Sequence, residues 1–413
     1  MPQRKVLVVV LAGGEGKRLM PLTADRAKPA VPFAGSYRLI DFALSNVVNS
    51  GYLRVVVLTQ YKSHSLDRHV SETWRMSTQL GNYVASVPAQ QRLGKDWFLG
   101  SANAIYQSLN LIHDAKPEYV LVVGADHVYR MDFSAMIDAH IAAGVSASVA
   151  AVRQPIDQSH QFGVIEVDDD DPGRIAAFRE KPASTPGLPD DPDSFLASMG
   201  NYVFSTDALL EALDADNLSD DTKHDMGADI IPGFVERGDC GVYDFSSNPV
   251  PGEDDGLVRY WRAVGTLDSY YDAHMDLVSP IPKFNLYNKE WPIHTRHHSS
   301  PPSKLVRDKN GVPGEAHDSL LAAGVVITGG VVTRSVISTD ARVEHGACVT
   351  DSVLLDDVVI GAGATINHAI IDKNVVVPAG ASIGIDHAVD RARGFLVTDS
   401  GLTVLAKGQQ IDG

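Results

Sequence analysis

An α/β fold with a mostly parallel sheet, followed by a parallel β-helix, is the fold class this sequence predicts. Three observations carry that expectation. Short unbroken apolar runs alternate with helical patterns over the first 280 residues, and a glycine-rich turn follows the first run. In the last quarter of the chain an aliphatic residue recurs every six positions.

The first run, Val6 to Val10, has no polar alternation, which suits a strand buried on both faces of a parallel sheet. Gly13, Gly14 and Gly16 follow at once, then Lys17 and Arg18. Without Cβ atoms such a turn brings backbone N–H groups close to an anion, and the two cations add charge where a phosphate would sit. The order is neither G-x-G-x-x-G nor G-x-x-x-x-G-K-[ST], and a tight turn between strand and helix explains the same glycines.

Further strands are expected at residues 54–59, 119–123 and 146–152, with helices at 104–113 and 133–143. Strands separated by helical patterns of this length form βαβ units, whose ligands sit at the carboxyl ends of the strands. The glycine turn falls there, and so does Asp126. A carboxylate after a buried strand is costly without a cation. Binding Mg²⁺ together with substrate phosphates would resolve that cost, and capping a helix or turn is the alternative. The acidic runs at 168–172 and 188–193 read as solvated turns.

Composition bounds the function. A formal net charge of −17 argues against general nucleic-acid binding while leaving nucleotides open. Cys240 and Cys348 lie far apart and read as free thiols in a reducing cytosol. No stretch approaches the ~20 apolar residues of a membrane span. The N-terminal MPQRKVLVVVLAGG has the charge order of a secretory leader, but its short run passes into the glycine turn, so a strand is expected instead. At 413 residues two domains are expected.

Residues 291–302, which include His294, His297 and His298, read as a connecting segment; a solvated linker is favoured there over a metal site. Beyond it Val325, Val331, Ile337, Val343, Val349 and Leu355 are six apart, and after a slip Ile371, Val377 and Ile383 resume the spacing. Only a hexapeptide β-helix gives that period, one aliphatic pointing inward per side of a triangular coil. Gly346, Ala347, Gly361 and Gly363 suit the corners. So short a solenoid should dock on the first domain or on another subunit. The expected division is 1–280, a 281–318 linker, and 319–413.

Five motifs then occur in order: LAGGEGKRL, AKPAV at 27–31, GADH at 124–127, EKP at 180–182 and SMGNY at 198–202. LTQY at 58–61, PAQQR at 88–92, HDM at 224–226 and FNLY at 284–287 accompany them. With the C-terminal hexads, they resemble the bacterial glucose-1-phosphate adenylyltransferases (ADP-glucose pyrophosphorylases) over nearly the whole chain. KSHSLDRH at 62–69 resembles the actinobacterial branch.

The resemblance implies a Rossmann-like nucleotidyltransferase domain followed by a left-handed parallel β-helix. It implies the Mg²⁺-dependent reaction of ATP with α-glucose 1-phosphate to ADP-glucose and pyrophosphate, in glycogen synthesis. It also implies a cytoplasmic homotetramer regulated by phosphorylated allosteric effectors, binding neither nucleic acid nor membrane. Carried onto this chain, Arg18, Lys28 and Asp126 would be catalytic, with Asp126 the metal ligand. Leu11, Gly13, Gly14, Gln90, Gly100 and Ser101 would bind nucleotide. Phe98, Gly163, Glu180, Lys181, Ser198 and Asp225 would bind the sugar phosphate, and Arg26 and Arg38 the effector. Pro29 should keep Lys28 extended.

The chain also departs from the family's pattern. Phe98 stands where the family usually has tyrosine, and Asn103 where G-T-A-D-A has its acid. Ala263 replaces the aspartate of Y-W-R-D-V-G-T, the family's second metal ligand, and Asp268 is expected to point elsewhere. Asp25 and Pro32 stand where members activated by fructose bisphosphate carry Lys and His. The alternative is therefore a catalytically weak or regulatory subunit that still binds the ligands. A uridylyl- or guanylyltransferase ranks third, and a hexapeptide acyltransferase using His345 or His368 last.

Overall fold

The computed structural model describes residues 4–90, 97–219, 221–253 and 259–411. The strand Val6–Ala12 lies between Arg54–Thr59 and Tyr119–Gly124, parallel to both. Val6, Val8 and Val10 enter one apolar core, while Leu7 and Val9 enter the other on the opposite face. The helix Leu39–Asn49 covers the first face; Leu209, Leu213 and Phe234 cover the second. Each fully buried aliphatic side chain contributes about 1.5–3 kcal/mol. Two-sided burial is why the run carries no polar residue.

Among the described residues the sheet runs Ile175–Glu180, Gly163–Val167, Ser194–Ser205, Tyr119–Gly124, Val6–Ala12, Arg54–Thr59, Tyr83–Pro88. The strand Ala147–Pro155 pairs with Ser194–Ser205 and carries Cys240–Asp244 parallel to it. Phe133–Ala143 is one helix, as expected. The expected helix at 104–113 is two, Ser101–Tyr106 and Leu109–Ala115, broken at Gln107 and Ser108.

The C-terminal part is a left-handed parallel β-helix of three sheets. From Val332 onward its inward residues repeat every 17 positions, as in Val332, Val349, Ile366 and Ile383, giving sides of six, six and five residues, while three earlier pairings are 16 apart. That short side is the slip in the six-residue period. It also corrects two inward assignments: Val331 is 36% exposed and its neighbour Val332 fills the core, and Leu355 packs toward the catalytic half while Leu354 points inward. The corners repeat with the coil. Gly329, Gly346, Gly363 and Gly380 take one corner, and Asp340, Asp357 and Asn374 another, all at positive φ. The first coil opens at Lys304–Val306, inside the stretch read as linker, because this strand pairs with Val326–Thr328.

One sheet of the β-helix is buried on both sides. Ile337, Leu354 and Ile371 point into its interior, while Val336, Val353 and Ile370 pack against Leu267, Tyr270 and Tyr271 of the helix Leu267–Leu277. The Tyr271 hydroxyl donates to the Asp351 carbonyl at 2.8 Å. Arg26 reaches across to Asp372 with two guanidinium nitrogens at 3.0 Å, both side chains at most 5% exposed. The connecting segment is pinned at its start, while residues 296–299 are exposed as expected. Trp291 is buried, and the Thr295 hydroxyl donates to the buried Asp41 carboxylate at 2.7 Å, which also holds His69 and Trp74.

His274 sits in the same junction, wholly buried. Its Nδ1–H donates to the Tyr270 carbonyl at 2.8 Å, and Nε2 accepts from the Ala34 N–H at 3.0 Å. Burial pushes its pKa down to about 4. The folded value lies below the ordinary value near 6.5, so the unfolded chain binds the proton first. The stabilisation is therefore complete above pH ~6.5 and shrinks by about 3 kcal/mol as pH falls toward ~4. Urea unfolding at a series of pH values should show this slope, and His274→Leu should flatten it. Breaking the buried pair is a separate test. Arg26→Ala should cost about 3–5 kcal/mol in the same unfolding assay, and Arg26→Met with Asp372→Leu should recover most of it.

Candidate active site

The register Val10 to Val123 and Leu11 to Gly124 brings the ends of two buried strands side by side, so the glycine turn and Asp126 emerge together. Gly16 has φ of 69°, and a Cβ there would lie 3.0 Å from the Lys28 Cβ and the Thr23 Cγ2. Glycine is required at this close approach. The Thr23 hydroxyl donates to the Gly16 carbonyl at 2.9 Å and closes the loop. Gly14 faces open space, whereas Gly13 borders Gln60 and the Phe98 ring. Lys17 differs from the expectation of a phosphate cation: it is turned to solvent and pairs with Glu15 at 2.9 Å. Arg18 is exposed and has no ion-pair partner among the described residues; its guanidinium passes beside Gly265.

Lys28 opens the short 3₁₀ turn Lys28–Ala30, and Ala27 is the extended residue. This corrects the expectation that Pro29 keeps Lys28 extended: the Val31 N–H bonds the Lys28 carbonyl at 3.1 Å, and that bond outweighs the preference. Lys28 Nζ lies 2.5 Å from Asp126 Oδ2, and His127 Nε2 lies 3.3 Å from Oδ1. Burial works against the charged carboxylate, but the Lys28 ammonium and His127 prevail and hold Asp126 well below the usual carboxylate range. Burial pushes His127 itself down, against the pull of the Asp126 carboxylate. The His127 ring stacks at 5.0 Å from Trp261.

The strand Trp261–Ala263 runs antiparallel to His127–Tyr129, pairing Ala263 with His127, and the Val264 N–H donates to the Asp126 carbonyl. Ala263 therefore sits beside Asp126, and Asp268 does turn away, accepting from Thr398 at 3.1 Å. Among the described residues no three His, Cys, Asp or Glu side chains cluster as metal ligands. Asp126 nevertheless fits a divalent cation held through one carboxylate and substrate phosphates, since its side chain is one-third exposed at the strand end beside the glycine turn.

On the far side, a Cβ on Gly163 would meet the Phe178 ring at 2.5 Å and Glu180 Oε2 at 3.0 Å, so glycine makes room for the Glu180 carboxylate. Lys181, at φ 47°, folds back onto Glu180. Ser198 accepts from the Gly200 N–H at 3.2 Å. Asp225 caps the turn Met226–Ile230 through the Gly227 and Ala228 N–H groups and accepts from the Ser101 hydroxyl at 2.8 Å, so its oxygens are already engaged. Gly100 packs on the His224 carbonyl, 2.2 Å from any added Cβ, and the Ala102 N–H bonds the same carbonyl. Packing requires glycine at 100, and the Ser101 hydroxyl joins Asp225 to the Met226 N–H. Asn103 is structural too, accepting from the Leu99 N–H and Gln107. Gln90 is exposed beyond the strand Tyr83–Pro88, while Gln91 and Arg92 of PAQQR lie outside the described residues. Leu11 is half-buried at the strand end.

Sequence reasoning passed over two positioning residues. Gln60 accepts from the Phe98 N–H at 2.9 Å and donates back to its carbonyl, holding 97–99 over Gly13. Lys62 donates to the Ala24 carbonyl at 2.6 Å and steadies the segment before Lys28. Their only signals were the motif LTQY for Gln60 and the run KSHSLDRH for Lys62. Arg26 and Arg38 do not present free guanidinium groups: Arg26 is held by Asp372 and Asp25, and Arg38 donates to the Ala30 and Ser65 carbonyls.

The sequence profile of the nucleotidyl transferase family matches residues 7–279, and that of the GlmU-like, C-terminal hexapeptide family matches 301–405. The chain is similar to proteins named glucose-1-phosphate adenylyltransferase. It is 72% identical to that of Paenarthrobacter aurescens, covering 100% of this chain and 87% of the relative. It is 67% identical to that of Kocuria rhizophila over 99% of each, and 59% identical to that of Bifidobacterium adolescentis over 99% of each. The chain belongs to the nucleotidyl transferase family and, at these identities over its full length, to the glucose-1-phosphate adenylyltransferases within it.

Proposed function

We propose that this chain transfers the adenylyl group of ATP to α-glucose 1-phosphate, giving ADP-glucose and pyrophosphate. The observation that carries the reading is the Lys28–Asp126 pair beside the glycine turn at the carboxyl ends of two buried strands. A phosphate oxygen of the sugar attacks the α-phosphorus in line as pyrophosphate leaves, which needs positioning and charge neutralisation rather than a covalent intermediate. Backbone N–H groups of the turn from Gly13 to Gly16 face the triphosphate. Arg18, with no ion-pair partner among the described residues, neutralises the departing pyrophosphate. Lys28 steers the phosphates, Glu180 accepts from glucose hydroxyls, and Lys181 leaves Glu180 to hold the sugar phosphate. Leu11, Gln90, Phe98, Gly100 and Ser101 line the nucleotide's approach; Gly163, Ser198 and Asp225 shape the sugar side.

The family generally uses a divalent metal. We take it as Mg²⁺, held by Asp126, where it would neutralise triphosphate charge. No helix among the described residues is long and apolar enough to cross a membrane, and we place the enzyme in the cytoplasm, in glycogen synthesis. We read the chain as a catalytic part over 1–280, a connecting part over 281–318 whose end already holds the first coil strands, and a β-helix over 319–413, assembled as a homotetramer. Arg26 and Arg38 lie at the junction of the two halves near Lys373. A phosphorylated effector there takes the place of Asp372 on Arg26.

Catalysis, not a regulatory role, is the conclusion, since the relatives carry the enzyme's name across the full chain. Incubation with ATP, glucose 1-phosphate and Mg²⁺ should release pyrophosphate and ADP-glucose in equal amounts. Absence of both, or a preference for UTP or GTP, overturns the reading. Ala263→Asp sets a second carboxylate beside Asp126 and should raise kcat at least tenfold at saturating Mg²⁺; an unchanged kcat means that Ala263 does not limit the rate.

A further inference from the structure

We propose that Lys28 is the resident counter-ion of Asp126, so that the free protein keeps divalent cations off this carboxylate and admits one only together with the nucleotide's phosphates. The inference rests on Asp126 being the metal carboxylate. Lys28 Nζ takes Oδ2 at 2.5 Å, His127 Nε2 lies 3.3 Å from Oδ1, and the pair is largely shielded, with Lys28 at 14% and Asp126 at 33% side-chain exposure. The neighbouring strand offers Ala263, so no second carboxylate stands there to share a metal. A divalent ion arriving alone would either sit within a few ångströms of the ammonium or expel it from a partly buried site, and one carboxylate does not repay either cost.

A triphosphate changes that balance. It brings oxygens for the metal and a new anionic partner for the ammonium at once. Lys28 is built for such an exchange. Its Cβ lies against Gly16, close enough that a Cβ on that glycine would be 3.0 Å away. Its backbone is pinned, with the Ala27 N–H on the Lys62 carbonyl and the Ala30 N–H on the Ala27 carbonyl. Rotation about its side-chain bonds alone can therefore carry Nζ from Asp126 toward the glycine turn, with no movement of the chain. The metal then enters as the nucleotide complex, and the lysine that guarded the carboxylate becomes a phosphate ligand.

The test is Mn²⁺ binding to the nucleotide-free, full-length protein, read by electron paramagnetic resonance. The wild type should bind weakly at Asp126. Lys28→Gln should tighten Mn²⁺ at least tenfold, and Lys28→Met, of similar reach, should do the same. Adding Asp126→Asn to either should remove the gain. Arg18→Gln deletes a nearby cation that does not touch Asp126 and should shift binding by less than twofold. Equal Mn²⁺ affinity in wild type and both Lys28 variants overturns the proposal, and so does an equal gain from Arg18→Gln, which would make it a general field effect. Mn²⁺–ATP binding separates the two levels. If Asp126→Asn leaves it unchanged, the assignment of Asp126 as metal ligand fails; if Asp126→Asn abolishes it while Lys28→Gln changes nothing in free Mn²⁺ binding, only the counter-ion role fails.

Discussion

Charge along the two central strands can stand only where they end, and the placement of the site follows from that constraint. Val6–Ala12 and Tyr119–Gly124 are buried on both faces, so a polar side chain within either would lose water without gaining a partner. Their neighbours are in register, so both strands release their first polar residues at the same edge. Gly13 to Gly16 and Asp126 meet there by geometry, and Lys28 is brought to them by the short turn that follows. The carboxylate is tolerable because the Lys28 ammonium and the His127 ring share its shell.

The segment from Gly16 to Ala30 ties this chemistry to the rest of the protein. At one end Gly16 allows the close approach of Lys28 and Thr23; in the middle Asp25 pairs with Lys407 and Arg26 with Asp372, both on the β-helix. A residue that touches the site is thus two positions from one that touches the other half of the molecule. Any shift of the β-helix that moved Asp372 would pull on the backbone carrying Lys28. Coupling of this kind needs no long relay, because a single stretch of chain serves both ends.

What could be read beforehand follows a physical line. The first strand, the helix Phe133–Ala143 and the hexad coil were legible because each obeys a local period set by its own burial. The glycine at 16 was legible as a turn, and the family motifs pointed to Lys28 and Asp126, which the structure brings together. Contacts between distant parts were not. Nothing in the connecting segment announces that Thr295 will meet Asp41 or that Trp291 will be buried, since those partners lie about 250 residues away. Lys17 and Arg26 carry the same charge as Lys28, yet one reaches Glu15 and the other Asp372. A cation in a motif shows its chemistry, and only the fold chooses its anion. Val331 shows the same limit within a period: a 17-residue coil drifts against a strict six, and the sequence alone does not say which side is short.

The junction also bears on why a buried ion pair is kept where apolar packing already exists. Val336, Val353 and Ile370 against Tyr270 and Tyr271 provide non-directional attraction that would tolerate a β-helix slipped along its own axis. A slip of one coil would present nearly the same aliphatic face, because the coil repeats every 17 residues. Arg26 and Asp372 break that degeneracy, since a misplaced coil leaves two desolvated charges unpaired and costs several kcal/mol. The pair therefore acts on register more than on stability. Register is what matters to the site, because the same strap that reads the coil position also sets where Lys28 stands.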